Sequence, residues 1–184
     1  MSAIDRSASS YSASRRALLL AGLGALTAGC ASAPPAPQVL EAVTLAVTLV
    51  ARDDVNPDLR GRPSPLSVRI FELRSTSGFD AADFFSLYDR DQATLSTELL
   101  AREQYILRPG DTQGYTRKAQ ADTRFLGVLA AYRDLEHSVW RATSGIAPPS
   151  PVGGRTSGSA APRLQRVLIT FERAAVRIEV APAT

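Results

Sequence analysis

Two residue types common in catalytic and metal sites are almost missing from this sequence, which has one histidine and one cysteine among 184 residues. A single histidine, His137, cannot form a pair of imidazole ligands for a metal, and it leaves one imidazole base for the whole chain. The single cysteine, Cys30, has no partner for an intrachain disulfide, so the fold must rely on packing. The sequence also lacks the G-x-S-x-G, H-E-x-x-H and phosphate-loop motifs. We therefore expect a protein that is not an enzyme.

The sequence also lacks a hydrophobic run long enough to cross a bilayer. Its most apolar stretch, Ala17–Ala28, has twelve residues, whereas a transmembrane helix needs about 20. Two arginines precede this stretch and small residues end it just before Cys30, which is the order of a signal peptide. The ending resembles a bacterial lipobox, although Thr27 stands where such motifs usually have leucine. We expect residues 1–29 to be a signal peptide and Cys30 to carry a covalent lipid, with no other cofactor.

The positive charge of the chain is concentrated in this predicted signal peptide. Residues 1–29 account for +2 of the net charge of +3, so residues 30–184 carry only +1. The basic character of the whole chain is therefore no indication of nucleic-acid binding.

The residues after Cys30 indicate where the lipid-anchored protein is located. Residues 30–42 are rich in proline and alanine and predict an extended tether, on the order of 30 Å long. Ala31 is not the aspartate that commonly retains bacterial lipoproteins at the inner membrane, so we expect the periplasmic face of the outer membrane. The export route stays open, because the adjacent arginines in Ser14–Leu19 resemble a twin-arginine signal and also occur in ordinary signal peptides.

Alternation of apolar and polar residues predicts an all-β domain over residues 43–184. Thr123–Arg133 is apolar on both faces and is expected to be a central strand, whereas Gly114–Ala121 is polar and is expected at an edge. Since no βα repeat occurs, the pattern predicts a sandwich of antiparallel sheets. The eight predicted strands are Val43–Ala51, Leu66–Arg74, Leu99–Leu107, Gly114–Ala121, Thr123–Arg133, His137–Thr143, Leu164–Phe171 and Val176–Val180.

Two segments interrupt the strands. In the first, residues 79–95, apolar side chains recur at helical spacing, so we expect a helical insertion packed across an open end or edge of a sheet. The second, Gly145–Pro162, is rich in Gly, Pro and Ser and predicts a flexible loop. The predicted buried stripe of the helix consists of Ala81, Phe84, Phe85 and Tyr88.

The candidate binding site is the loop Arg52–Pro65, between the first two predicted strands. The Asn56-Pro57 turn pattern, Gly61 and two further prolines predict a long, partly stiffened loop. Most connections in compact domains have about 4–6 residues, and longer ones tend to be functional or disordered. We expect this loop to dock a protein partner, the alternative being an ordinary surface connection. The candidate partner-binding residues are Asp53, Asp54, Asn56, Pro57, Asp58, Arg60, Arg62 and Pro63.

Metal binding is not expected at either acidic cluster of the sequence. The aspartates of the loop are interspersed with arginines, so ion pairs or a charged docking surface are favoured over a bound cation. Asp89–Asp91 begins like a calcium-binding loop, but Thr94 and Leu100 stand where that loop requires Gly and Glu. His137, near Trp140, is expected to be part of the fold.

Several motifs occur in one order along the chain. They are the lipobox at Cys30, N-P-D-x-x-G-R-P-S-P at Asn56–Pro65, V-R-I-F-E-L at Val68–Leu73, F-x-x-A-D-F-F-x-L at Phe79–Leu87, Pro109-Gly110, G-V-L-A-A-Y-R-D at Gly127–Asp134 and Trp140-Arg141. Together they resemble the TssJ (SciN-like) family, the outer-membrane lipoproteins of the bacterial type VI secretion system. The long Gly145–Pro162 loop departs from the family pattern.

The resemblance implies a transthyretin-like β-sandwich of two four-stranded antiparallel sheets with a short helical insertion. It also implies a structural anchor that recruits the periplasmic C-terminal region of the inner-membrane protein TssM, within a complex that also contains TssL. In the family the loop between the first two strands contributes to TssM binding, and this loop corresponds to Arg52–Pro65. Neither nucleic acid nor a small-molecule substrate is expected.

Two other functions compete with this interpretation. A lipoprotein that binds a cell-wall glycan would need aromatic rings exposed for stacking on sugars, for example Trp140 and Tyr115 side by side. An envelope hydrolase would need a nucleophile or an acid paired with a base, and the sequence does not offer such a pair convincingly. If the loop is the docking element, shortening Asn56–Arg62 should abolish partner binding with little effect on melting.

Overall fold

The structure is a computed structural model that describes residues 40–41, 43–147, 150–151 and 163–184. The predicted signal peptide, the predicted lipidation site Cys30, most of the predicted tether and most of the loop Gly145–Pro162 lie outside these residues. None of the helices in the described ranges is long and apolar enough to cross a membrane.

Eight strands form two four-stranded sheets, which confirms the predicted sandwich. In chain order they are β1 (Thr44–Ala51), β2 (Leu66–Leu73), β3 (Leu99–Leu107), β4 (Thr112–Lys118), β5 (Phe125–Ala130), β6 (Arg141–Gly145), β7 (Leu164–Phe171) and β8 (Val176–Val180). The first sheet has the order β8-β7-β1-β4, and the second has the order β3-β2-β5-β6. Two short strands, Leu40–Glu41 and Ser150–Pro151, pair with each other.

One pairing departs from the antiparallel arrangement that the sequence predicts. Strands β1 and β7 are parallel, with Thr44 opposite Leu164 and Ala51 opposite Phe171, whereas the other neighbours within the two sheets are antiparallel. A parallel pair needs a long connection, and the chain between these two strands contains β2 to β6. Strand β4 is left at an edge and β5 is central, as their polar and apolar sequences predict.

The main core lies between the inner faces of the two sheets. Leu45 and Leu49 of β1 are almost completely buried, and Val68 of β2 and Val128 of β5 belong to the same cluster from the other sheet. Each large apolar side chain buried in this way contributes about 1.5–3 kcal/mol to stability. The alternating pattern of the sequence therefore identifies the inner faces correctly.

Two helices, α1 (Ser77–Ala81) and α2 (Phe84–Leu95), cover the outer face of the second sheet, and a 3-10 turn (Ser96–Glu98) follows them. Their apolar side chains form a second core with residues of β2 and β5 that point away from the first core. The insertion thus lies on a sheet face, and the expected position at an open end or edge is wrong. The second core consists of Phe71, Leu73, Phe79, Leu87, Leu95 and Leu129.

The predicted buried stripe of the insertion is also partly wrong. The side chains buried from α2 are Leu87, Asp91 and Leu95, which recur at helical spacing, whereas Ala81 belongs to the separate helix α1. The backbone is extended at Ala82, where ψ is 150°, and it leaves the helical region again at Arg90, where φ is −137°. The stripe residues Phe84 and Tyr88 are half-buried, and Ala81 and Phe85 are exposed.

A buried carboxylate fixes the insertion to the sheet. Asp91 is 4% exposed, and its carboxylate contacts the guanidinium groups of Arg102 and Arg69, the latter at 3.5 Å. The Arg69 guanidinium also lies 4.4 Å from the centre of the Tyr88 ring, an attractive cation–π geometry. Asp91 is therefore occupied in ion pairs between helix and sheet.

Candidate functional site

The loop Arg52–Pro65 forms one wall of a groove of about 920 Å³ at one end of the sandwich. The other walls are the connection between β5 and β6 and the turn between β7 and β8. These segments meet because β1 and β7 run in parallel and end together. The groove is lined by Asn56, Pro57, Asp58, Leu59, Arg60, Arg62, Tyr132, Arg133, Asp134, His137, Arg173 and Ala174.

Asn56 joins the three walls through hydrogen bonds. Its side-chain Nδ2 donates to the carbonyl of Pro65 at 2.7 Å, and its Oδ1 accepts from the backbone N–H of Arg133 at 2.8 Å. Its own backbone N–H donates to the carbonyl of Arg173 at 3.1 Å. A φ of +51° lies in the left-handed region, which Asn tolerates better than most residues. Because Asn56 is only 3% exposed, it positions the groove and offers little surface to a partner.

The tip of the loop is held together by Asp58. Its Oδ1 accepts hydrogen bonds from the backbone N–H groups of Arg60 and Arg62 at 2.9 and 3.0 Å, and its Oδ2 lies 2.7 Å from Arg62 Nη2. The bonds from Arg62, its backbone N–H first, keep the pKa of Asp58 below the ordinary value. Gly61 adopts a φ of +78°, which is unfavourable for a residue with a β-carbon. The tip therefore has a defined shape without a partner.

Leu59 lies on this tip and is fully exposed, with a relative accessibility of 108%. A single exposed leucine is ordinary on a protein surface. Here the side chain is carried by a turn with its own hydrogen bonds, so burying it would require little further ordering of the backbone. Transfer of a leucine side chain from water to an apolar contact is worth about 1.5–3 kcal/mol.

The connection between β5 and β6 supplies the second wall. The Tyr132 hydroxyl donates to the carbonyl of Ala175 at 2.7 Å, which ties this connection to the β7–β8 turn, and burial raises the pKa of Tyr132. His137 Nδ1 lies 2.8 Å from Asp134 Oδ1. This hydrogen bond raises the pKa of His137, whose imidazole is 78% exposed.

The groove is positively charged. Its lining contains four arginines and two aspartates, a net charge of +2 that becomes +3 when His137 is protonated. Each of the two aspartates already has a partner, Arg62 in one case and His137 in the other. Within the described residues, the lining arginines without a carboxylate partner are Arg60, Arg133 and Arg173.

Some predicted partner-binding residues lie outside the groove. Asp53, Asp54 and Pro63 are exposed but do not line it. The Asp53 carboxylate lies over the β3–β4 turn, because its Oδ1 is only 2.8 Å from where a β-carbon on Gly110 would be. The predicted residues that do line the groove are Asn56, Pro57, Asp58, Arg60 and Arg62.

The other two walls of the groove were not predicted from the sequence. The expectation that His137 belongs to the fold is wrong, since the imidazole is largely exposed and lines the groove. Trp140, in contrast, is half-buried and packs edge-on against Phe84, with ring centres 5.4 Å apart. The one indication in the sequence that Tyr132–Asp134 could belong to a site was its position at the end of a strand predicted to be central. The lining residues that were missed are Leu59, Tyr132, Arg133, Asp134, His137, Arg173 and Ala174.

The described residues in and near the groove show no arrangement typical of a nucleophile site or a metal centre. The described lining of the groove includes an Asp–His pair but no serine, threonine or cysteine that this pair could activate. Within the described ranges, no group of three or more His, Cys, Asp or Glu side chains is placed to hold a metal. Tyr115 stacks on Tyr105 at 5.7 Å, and both Tyr115 and Trp140 are partly buried against the main core.

The structure is thus a β-sandwich that carries an ordered loop with an exposed apolar tip beside a positively charged groove. The model of the type VI secretion lipoprotein family, described as VasD, EvfM and TssJ, matches residues 43–172. The chain belongs to this family of membrane-associated lipoproteins, as its motifs predict.

Solved structures agree with this assignment. The type VI lipoprotein TssJ1 from Pseudomonas aeruginosa is 31% identical with a TM-score of 0.64, over 78% of this chain and 99% of that one. Lip from Serratia marcescens, a membrane-bound component of the same kind of system, is 27% identical with a TM-score of 0.62, over 77% and 97%. A chain in the structure of the TssM C-terminal domain from EAEC is 26% identical with a TM-score of 0.55, over 73% and 99%. No curated protein sequence matches the chain.

Proposed function

We propose that this protein is an outer-membrane-anchored structural lipoprotein of the type VI secretion membrane complex. In that role, the loop Arg52–Pro65 docks the periplasmic C-terminal region of TssM. Membership of the lipoprotein family and likeness to a chain in the structure of a TssM C-terminal domain support the partner. The observation that carries the docking role is the full exposure of Leu59 on an ordered tip at the edge of the groove.

The internal bonds of the loop favour binding, because association costs about 0.5–1.5 kcal/mol for each rotamer-rich side chain that becomes ordered, in addition to the ordering of any loop. The Asp58 turn and the Asn56 hydrogen bonds already hold the backbone on both sides of Leu59. Much of the free energy gained by burying Leu59 is then available as affinity.

Anchoring through Cys30 belongs to the same proposal. One acyl chain gives only marginal membrane binding, so a stable anchor needs at least two, as a lipobox cysteine normally receives. In this proposal residues 30–39, which precede the short strand at Leu40, act as a tether on the order of 30 Å long. This length lets the groove meet TssM, in a complex that also contains TssL, at a distance from the lipid headgroups.

A matched pair of substitutions tests the docking role. Leu59→Ser removes the apolar side chain from the tip, and Ile106→Ser removes an exposed apolar side chain from β3, where Ile106 is 67% exposed. The lipidated proteins, purified in detergent, are titrated calorimetrically with the periplasmic C-terminal region of the cognate TssM. We expect Leu59→Ser to weaken binding at least about tenfold, because a buried leucine contributes about 1.5–3 kcal/mol, and Ile106→Ser to bind like the wild type.

Equal binding by the wild type and both variants would place the docking surface elsewhere on the protein. Absence of binding by the wild type at high micromolar concentration would contradict the TssM assignment itself. The tip is the appropriate target because shortening Asn56–Arg62 would also remove the hydrogen bonds that join the three walls, so that a loss of stability is expected in place of the small effect on melting expected from the sequence.

A further inference from the structure

Three arginines face the groove without a carboxylate partner in the described part of the chain. Arg60 belongs to the loop tip, Arg133 to the β5–β6 connection and Arg173 to the β7–β8 turn. They are far apart in sequence, yet all three line the same groove. The backbones of Arg133 and Arg173 are hydrogen-bonded to Asn56, so these two residues hold fixed positions relative to the loop.

Grouping like charges on one surface has an electrostatic cost. Like charges repel each other, more strongly near a protein surface than in bulk water, and the interaction falls inversely with distance. The two aspartates of the groove do not relieve this repulsion fully, because each has a partner of its own. The groove has a net charge of +2, whereas residues 30–184 as a whole carry +1. Positive charge is therefore concentrated at the surface that the proposed function assigns to docking.

We propose that this groove selects an acidic segment of its protein partner, in which carboxylates pair with Arg60, Arg133 and Arg173 around an apolar side chain that contacts Leu59. This inference rests on the proposed function and adds the chemistry of the bound segment. Guanidinium groups suit the task, since each can donate two parallel hydrogen bonds to one carboxylate.

The composition of the groove favours a peptide over a membrane surface as the source of the negative charge. A face that binds anionic headgroups gains from uninterrupted basic character, but this groove also contains Asp58 and Asp134. A peptide can place basic or neutral side chains at those two points and acidic ones opposite the arginines. The fully exposed Leu59 supplies an apolar contact that fits the same segment.

The test compares two triple variants with the same change in net charge. The groove variant carries Arg60→Gln, Arg133→Gln and Arg173→Gln. The control variant carries the same change at three exposed arginines outside the groove, Arg90, Arg108 and Arg166. Each lipidated protein is titrated in detergent with the periplasmic C-terminal region of the cognate TssM at about 50 and about 300 mM NaCl, a range over which screening changes strongly.

We expect the groove variant to bind on the order of tenfold to a hundredfold more weakly than the wild type at low salt. It should also lose most of the salt dependence, while the control variant keeps both affinity and salt dependence. In a second arm, Arg133→Glu is titrated against a panel of TssM variants in which single Asp or Glu residues are changed to Lys. Recovery of binding by at least one of these pairs supports direct contact between the groove and an acidic segment.

Three outcomes would overturn the proposal. Equal binding by the groove and control variants would show that the arginines do not contact the partner. Displacement of the TssM region by vesicles containing phosphatidylglycerol, but not by phosphatidylcholine vesicles, with TssM affinity unchanged in the groove variant, would assign the arginines to a lipid surface. If the wild type does not bind the TssM region at all, the proposed function fails first and this inference fails with it.

Discussion

Replacement of Asn56 by Ala tests whether one buried side chain joins the three walls of the groove. The substitution removes the hydrogen bonds to the Pro65 carbonyl and from the Arg133 N–H, which measure 2.7 and 2.8 Å. Each such bond has a net value of about 1 kcal/mol. Alanine at the observed φ of +51° adds about 1–2 kcal/mol of left-handed backbone strain. We therefore expect Asn56→Ala to lower the free energy of unfolding by about 3 kcal/mol.

Asn56→Gly separates the contribution of the two hydrogen bonds from the contribution of the backbone strain. Glycine adopts a positive φ without strain, so this variant loses the side-chain hydrogen bonds and keeps a relaxed backbone. We expect it to be destabilised by about 2 kcal/mol through the two lost bonds. The difference between the variants then reports the strain at this position.

The assay is urea unfolding of the lipidated protein in non-ionic detergent, followed by the fluorescence of Trp140, the only tryptophan of the chain. Affinity for the TssM region is measured on the same preparations and should fall in both variants, because the walls lose their common tie. Unfolding free energies within about 0.5 kcal/mol of the wild type would refute the reasoning, since a buried pair of hydrogen bonds cannot be worth so little. Equal losses for Ala and Gly would refute the strain component alone.

Two further predictions concern charge and anchoring. Because Asp134 raises the pKa of His137, the imidazole is protonated below that raised pKa and neutral above it. The added positive charge should strengthen TssM binding as the pH falls from 8 to 6. In a calorimetric titration, His137→Gln should flatten this pH dependence. The stability that His137 gains from Asp134 is complete below its unfolded pKa, about 6.5, and is lost as the pH rises through the folded pKa. TssM binding that strengthens with rising pH would contradict a contribution of the protonated His137 to binding. Cys30→Ser should move the protein from the membrane fraction to the soluble periplasmic fraction, because the acyl chains are lost; a variant that stays in the membrane would indicate that the signal peptide is retained as an anchor.

The strands were predictable from the sequence because burial on one face imposes a period of two residues. Val176–Val180 was predicted with the bounds that the structure has, and the buried face of β1 was identified correctly. The parallel pairing of β1 with β7 was not predictable in this way, since parallel and antiparallel strands share the same side-chain alternation. The helical stripe failed for a different reason: the extended backbone at Ala82 places Ala81 in a separate helix, and the buried positions of α2 are Leu87, Asp91 and Leu95, so Phe85 lies on the exposed side.

The site was only partly predictable because its parts are distant in sequence. Turn chemistry identified the loop Arg52–Pro65, whose Asn-Pro and Gly residues act locally. The contact between Asn56 and Arg133 joins residues 77 positions apart, and nothing in the sequence around Arg133 or Arg173 indicates a shared groove. Leu59 was overlooked because its importance depends on exposure, and exposure of one leucine within a loop cannot be inferred from the pattern of its neighbours.

The residues that hold the shape of the groove differ from those that give the groove its charge. Asn56 and Tyr132 are buried and hydrogen-bonded to backbone groups of the neighbouring walls, so changing them should alter both stability and binding. The side chains of Arg133 and Arg173 point into the groove from backbones that are already fixed. Their replacement by Gln should leave the free energy of unfolding within about 0.5 kcal/mol of the wild-type value, as is usual for surface substitutions. The same replacement should lower the affinity for the partner. In such a design, selectivity for a partner can change through the exposed arginines without any loss of the scaffold that presents them.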